Sequence, residues 1–284
     1  MILVFGKRRV SMTLAQTGVG LVVMLLPLFS GAHAADFLTA SGCSVSNVGY
    51  LSDLAREYER RKGIKIYVRG GGSIVGIEDL RSGKVDFAAA CRNRESEDPD
   101  DVRFVQVAWD ALAFIVHKSN PVDSITLDQA RAIYAGQLKN WAELGGPNAS
   151  IKVFVSRPRR GLSGVESSTR AMVLKGREPA VIPTITPLAS TGIVEQMVED
   201  THEGFATTGF SSGRKRNVKM LKVGGVSPGA RTIVSGKYPL KRPLFLLVPR
   251  QPKPEVQRFM DFVLSREGQK YIKSLGVVSL TDIP

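Results

Sequence analysis

Three short stretches carry residue types suited to holding an anion: Gly42-Cys43-Ser44, Gly72-Ser73-Ile74 and Ser163-Gly164-Val165. Each stands at the start of a helix-like segment. A tetrahedral oxyanion stripped of water needs several donors at once, and a helix start supplies them through unpaired backbone N–H groups and a partial positive charge. Glycine lets the backbone approach closely, and serine adds a short hydroxyl donor. Ser73 and Ser163 also suit helix capping, a role compatible with donating to a ligand. Two strand-like runs end in basic residues: "VDFAAA" runs into Cys91-Arg92, and "IKVFVSR" ends in Arg157. A guanidinium there offers an oxyanion a charge-assisted fork.

The elements that must position these residues begin after a leader. Lys7, Arg8 and Arg9 precede an apolar run from about Val19 to Phe29, and Ala32-His33-Ala34 supplies a small-x-small cleavage pattern, so residues 1–35 are expected to be a signal peptide. Gly18, Gly20 and Pro27 interrupt the run, which is shorter than the roughly 20 apolar residues of a spanning helix. Beyond it strands and helices alternate, the signature of an α/β domain with a mostly parallel sheet. "DFLTAS", "IKIYVR", "VDFAAA" and "LAFIVH" read as strands, with helices over Val48–Tyr58 and "IVGIEDLRSG" between them. A second block holds "TLDQARAIYAGQLKNWAEL" as one helical segment capped by Thr126 with Gln129, then "IKVFVSR", "SGVESSTRAMVL" and "GFATTGF". A last block holds the strand "PLFLLVP" and "PEVQRFMDFVLSREGQKYIKSL" as one long helix. Strands that hand their carboxyl ends to helix starts place ligands there.

The chain carries a net charge of +13, and removing the three basic residues of the leader lowers it to +10. A basic surface favours anionic partners. Only "GRKRN" at 213–217 clusters, and no stripe of interleaved aromatic and basic residues marks a nucleic-acid surface. Ser73 and Ser163 have no Gly-x-Ser-x-Gly elbow or His partner, so binding rather than catalysis is expected. His117 and His202 lack paired spacing, so neither a metal nor another cofactor is expected. Trp109 and Trp141 read as packing aromatics, Asp110 as structural, and Glu166 as pointing away from any anion. Two cysteines in an exported chain invite a disulfide, provided the fold lets Cys43 and Cys91 meet.

From Phe37 to Leu280 the chain resembles the periplasmic phosphate-binding proteins of ABC transporters, within the type II solute-binding proteins. "GGGSIVGI" with "SGKVDFAAACR" looks like that family's glycine-serine turn, helix and strand. "NPVDSITLDQARAIYAGQLKNWAELGG" is similar to its Asn-Pro-Val segment and following helix and turn. "GFATTGF", "YPLKRPLFLLV" and "FMDFVLSREGQKYI" resemble its later blocks. The resemblance implies two α/β lobes, residues 36–117 with 235–284 and residues 118–234, closing by a hinge over a ligand in the cleft between them. It implies a monomer that delivers phosphate, or another small oxyanion, to an ABC permease. The ligand residues it implies are Cys43, Ser44, Gly72, Ser73, Cys91, Arg92, Arg157, Ser163, Gly164 and Val165.

Three of these depart from the pattern. Cys43 stands where the family places Ser or Thr, Cys91 where it places Asp or Ser, and Val165 where it places Thr, while "RPRRGLSG" is one residue longer than usual. A thiol is a weak donor and a weaker acceptor, so the site loses an acceptor and two hydroxyls. Both cysteines fall at sheet ends of the same implied lobe, which makes a Cys43–Cys91 bridge an expectation. The departures favour a second reading, a periplasmic sensor of the same fold with altered phosphate binding and a redox switch at these cysteines.

Overall fold

The computed structural model describes residues 37–157 and 163–283. The leader expected over 1–35, and the lengthened turn before Ser163, lie outside the described residues or mostly so. Among the described residues no helix is long and apolar enough to cross a membrane.

The first block runs β1 (Phe37–Gly42), α1 (Ser44–Ser46), α2 (Ser52–Lys62), β2 (Lys65–Gly70), α3 (Ser73–Arg81), β3 (Phe87–Ala90) and β4 (Val102–His117). A π turn, Asn47–Leu51, joins α1 to α2 with right-handed helical backbone at both junctions, so the chain is helical from Ser44 to Lys62. Gly63, left-handed at φ 71°, stops it. The middle block contains β5 (Ser124–Ile125), α4 (Leu127–Tyr134), β6 (Lys152–Ser156), α5 (Gly164–Met172), β7 (Ile185–Leu188), α6 (Thr191–Asp200), β8 (Gly204–Gly209), α7 (Phe210–Gly213), β9 (Val218–Met220), β10 (Lys222–Val223) and α8 (Ala230–Val234). The last block is β11 (Lys241–Pro249), α9 (Pro254–Leu264), α10 (Arg266–Ser274) and β12 (Val278–Ser279).

The fold is α/β with a mixed sheet in the order β2-β1-β3-β11-β4-β8-β6-β7. Parallel ladders join β1 to β2 and β3 at one end, and β6 to β7 and β8 at the other. Antiparallel β11 and β4 lie between. β4 is far longer than the six-residue strand read from "LAFIVH". Its first part pairs with β11 from Val102 to Ala111, and its second part pairs with β8 from Leu112 to Val116. The chain crosses back beside it: Leu112 N donates to Leu240 O at 2.9 Å, and Tyr238 OH donates to Leu112 O at 2.9 Å. The two halves thus share one continuous strand and one return crossing.

Within one continuous core the aromatic side chains pack in two groups. Tyr58 packs on Phe259 and Phe262, and Phe87 on Phe259, in the first half. Phe205 meets Phe114, Tyr134 and Trp141 in the second, where Trp141 is fully buried and donates its indole N–H to Glu203 O. The capping box of Thr126 and Gln129 forms. The helix it opens is shorter than the periodicity predicts, because Gly136 turns left-handed at φ 66° and the Asn140-capped 3-10 turn Trp141–Leu144 follows. The long C-terminal helix is likewise two helices: extended Ser265, at ψ 159°, ends α9 and caps α10 through Gly268 N. Apolar residues recur on both sides of each break, so periodicity alone does not reveal them.

Candidate functional site

β1 and β3 are parallel neighbours with Gly42 opposite Ala89, so both strands release their chains at one sheet edge. Cys43 and Cys91 leave that edge side by side and are joined as a disulfide, with Cα atoms 6.1 Å apart. Cys43 N donates to Ala89 O at 2.8 Å, and Gly71 N and Gly72 N both donate to Gly42 O. Gly42 has φ 134°, and a side chain there would strike the Ala89 backbone. Bare backbone at this point lets the start of the Ser44–Lys62 helical run and the start of α3 draw together.

The third helix start arrives from the other half. Ser163 caps α5 through Glu166 N at 3.0 Å. Gly164 follows, and a methyl there would collide with Ser73 Oγ and sit 2.7 Å from Cys91 Sγ. Ser73 Oγ in turn accepts from Cys91 N at 3.4 Å. Cys43, Gly72, Ser73, Cys91 and Gly164 therefore meet around the bridge, with Ser44 Oγ beside Gly70 on its flank. Val165 is buried, its carbonyl accepting from Thr169 Oγ1 at 2.8 Å.

The two arginines expected near the ligand are already matched. Arg92 forks onto Asp98 with both terminal nitrogens at 2.6 Å, and its side chain is 3% exposed. Burial works against its charge, yet Asp98 raises the guanidinium above its ordinary value. Arg157 bonds Glu178 and lies 3.9 Å from Glu166 Oε1.

A third arginine joins the halves, and the sequence reading passes over it. Arg242 on β11 is 2% exposed; its Nη2 donates to Asp110 Oδ2 at 3.1 Å and its Nη1 to Cys91 O at 3.0 Å and Gly164 O at 3.5 Å. Asp110 Oδ1 accepts from Ser211 N at 2.8 Å, at the start of α7. One ion pair thus ties β11, β4, the bridge, α5 and α7 together. α5 adds Ser168 Oγ, which donates to Cys91 O at 3.2 Å, and Ser167 Oγ, which donates to Glu95. A cavity of about 200 Å³ opens along this seam, lined by Arg92, Asn93, Glu95, Ser167, Lys241 and Arg242 among others. The sequence signal for this network is a charged residue inside an apolar strand, seen in both "KRPLFLLV" and "AWDALAF".

Elsewhere, Arg216 and Lys215 of the basic cluster pair inward, with buried Glu195 and with Asp53. His117 and His202 stack ring on ring at 4.2 Å, a pairing invisible in their spacing. Among the described residues no group of three or more His, Cys, Asp or Glu gathers as for a metal ion.

Glu166 is buried beside Arg157, and burial lifts its acid to about 7 despite Arg157, with Glu178 adding to the rise. Its folded value stands above its ordinary 4.5, so the stability it supports is complete below pH 4.5 and is lost as pH rises through about 7. Glu166→Gln should leave the protein on the order of 2–3 kcal/mol more stable than the parent at pH 8 and little changed at pH 4.5. Urea unfolding at the two pH values reads this directly; an equal gain at both would assign the effect to packing.

Known proteins resemble this chain over most of its length. A family model described as a PBP superfamily domain matches residues 30–267. The phosphate-binding protein PstS of Bacillus subtilis is 28% identical over 254 residues, covering 88% of this chain and 83% of that protein. PstS of Borreliella burgdorferi is 26% identical, covering 86% of this chain and 90% of its own. Among solved structures, one from Clostridium perfringens with bound phosphate is similar at a TM-score of 0.76 and 26% identity, covering 86% of this chain and 99% of that one.

Proposed function

Because this chain belongs to the PBP superfamily, we propose that it captures an inorganic oxyanion, phosphate first, where its three helix starts meet, and delivers it to an ABC permease. One observation carries the reading: α5 comes from the half opposite α3 and the bridge, yet its first residue packs directly on Ser73 and Cys91. A closed arrangement of that kind forms when two lobes swing together about their connections. Here those connections are β4 near Ala111–Leu112 and the return at 238–242. The lobes expected as residues 36–117 with 235–284, and residues 118–234, then meet at these crossings, with the end of β4 from Leu112 to His117 carried by the second lobe through its pairing with β8 and β9. An anion enters when α5 stands away, and the N–H groups following Cys43, Gly72 and Ser163 then close on it.

The relatives named for phosphate binding, and the similar structure that carries phosphate, support this ligand. The protein acts by reversible binding as an exported monomer, in keeping with its basic leader and apolar run. Calorimetric titration of the oxidised protein with phosphate, then sulfate and arsenate, tests the reading. One phosphate per chain is expected; silence toward all three anions would remove oxyanion capture.

A further inference from the structure

We infer that the Cys43–Cys91 bridge is a redox-modification site for a dithiol reductant, guarded by α5, so that reduction and anion capture exclude one another. The identity of the anion rests on the reading above; the guarding of the bridge does not.

Disulfide exchange requires a thiolate to approach a sulfur directly. In the closed arrangement Cys91 is 0% and Cys43 3% exposed, so a reductant has no path to either sulfur. The cover over Cys91 is Gly164, from the half that carries neither cysteine. It is held by contacts that can be remade: Ser168 Oγ on Cys91 O, Ser167 Oγ on Glu95, and Arg242 Nη1 on Gly164 O. When the halves part, the bridge is the floor of the open cleft. These are the only two cysteines in the chain, so no other thiol can compete for the exchange.

The chemistry balances within the two partners. A thiolate of the dithiol attacks one bridge sulfur, the S–S bond breaks, and the departing sulfur leaves as thiolate. The second thiol of the reductant then resolves the mixed disulfide. The reductant ends as its own disulfide, oxidised by two electrons, while Cys43 and Cys91 take those electrons and two protons as thiols. A thiol at a helix start ionises more readily than a free one. Reduced Cys43, preceding the helical run from Ser44 to Lys62, would place negative charge among the donors meant for the anion. Reduction therefore weakens capture, and by linkage a captured anion resists reduction.

The test follows thiol release from the oxidised protein in fixed dithiothreitol, by alkylation and intact mass. Ser168→Ala and Glu95→Ala each remove one tie between α5 and the first half. Glu95 is half-exposed, so that variant does not put folding at risk. At least one of them should be reduced about fivefold faster than the parent, the factor expected for one lost hydrogen bond. Parent-like rates in both overturn the proposal. Saturating inorganic phosphate should slow reduction of the parent at least tenfold, and the reduced protein should bind phosphate at least tenfold more weakly. An unchanged reduction rate with phosphate shown to be bound by calorimetry also overturns it. If calorimetry detects no phosphate binding while either variant is reduced faster, the guard stands and the oxyanion reading is what fails.

Discussion

Arg242→Met should cost about 3–5 kcal/mol of folding stability, among the largest losses from any single substitution in this chain. The guanidinium is 2% exposed and its partner Asp110 is 1% exposed. Removing Arg242 leaves a buried carboxylate with Ser211 N as its remaining hydrogen-bond donor among the described residues. It also strips a donor from the carbonyls of Cys91 and Gly164, which lie on opposite sides of the seam. Arg242→Met combined with Asp110→Asn should recover much of the loss, because the amide oxygen still accepts from Ser211 N and no unpaired charge stays buried. Urea midpoints of the parent, the single variant and the pair supply the comparison. A single-variant cost under about 1 kcal/mol would mean that water reaches Asp110.

Cys43→Ala with Cys91→Ala should cost about 4 kcal/mol. The bridge closes a loop with a sequence separation of 48, which in the chain-entropy account removes much freedom from the unfolded chain. The bridged positions are already neighbours through the parallel pairing of Gly42 with Ala89, so the folded state changes little. Denaturant midpoints of the double variant against the oxidised parent measure this. A loss under about 1 kcal/mol would mean that the unfolded chain already keeps these two segments close, leaving the bridge to serve the site rather than the fold.

The alternation of strands and helices, and with it the α/β class, is legible because each apolar run is bounded by turn residues that physics restricts, such as Gly42, Gly63 and Gly72. The breaks at Gly136 and Ser265 are not legible, since apolar residues recur at helical spacing on both sides and only backbone geometry distinguishes one helix from two. Much of the candidate site is readable for the same reason as the turns: a helix start needs a cap and room for the backbone, and Gly72-Ser73 and Ser163-Gly164 show both. Arg92 and Arg157 show the limit of that reading. Their residue type suits an anion, but whether the charge is free depends on Asp98 and Glu178, which no local pattern ties to them. Arg242 and Asp110 lie far apart in sequence, and only the antiparallel register of β4 and β11 sets them opposite each other.

In the proposed function, the helix starts around the Cys43–Cys91 bridge hold one oxyanion between two lobes. Calorimetric titration with phosphate, made on the oxidised parent and repeated on Ser73→Ala and Ser163→Ala, addresses it most directly. One phosphate per chain is expected for the parent and roughly tenfold weaker binding in each variant, the effect of losing one hydroxyl beside a charged group. Phosphate binding of parental strength in both variants would contradict it, and would move the anion away from these helix starts.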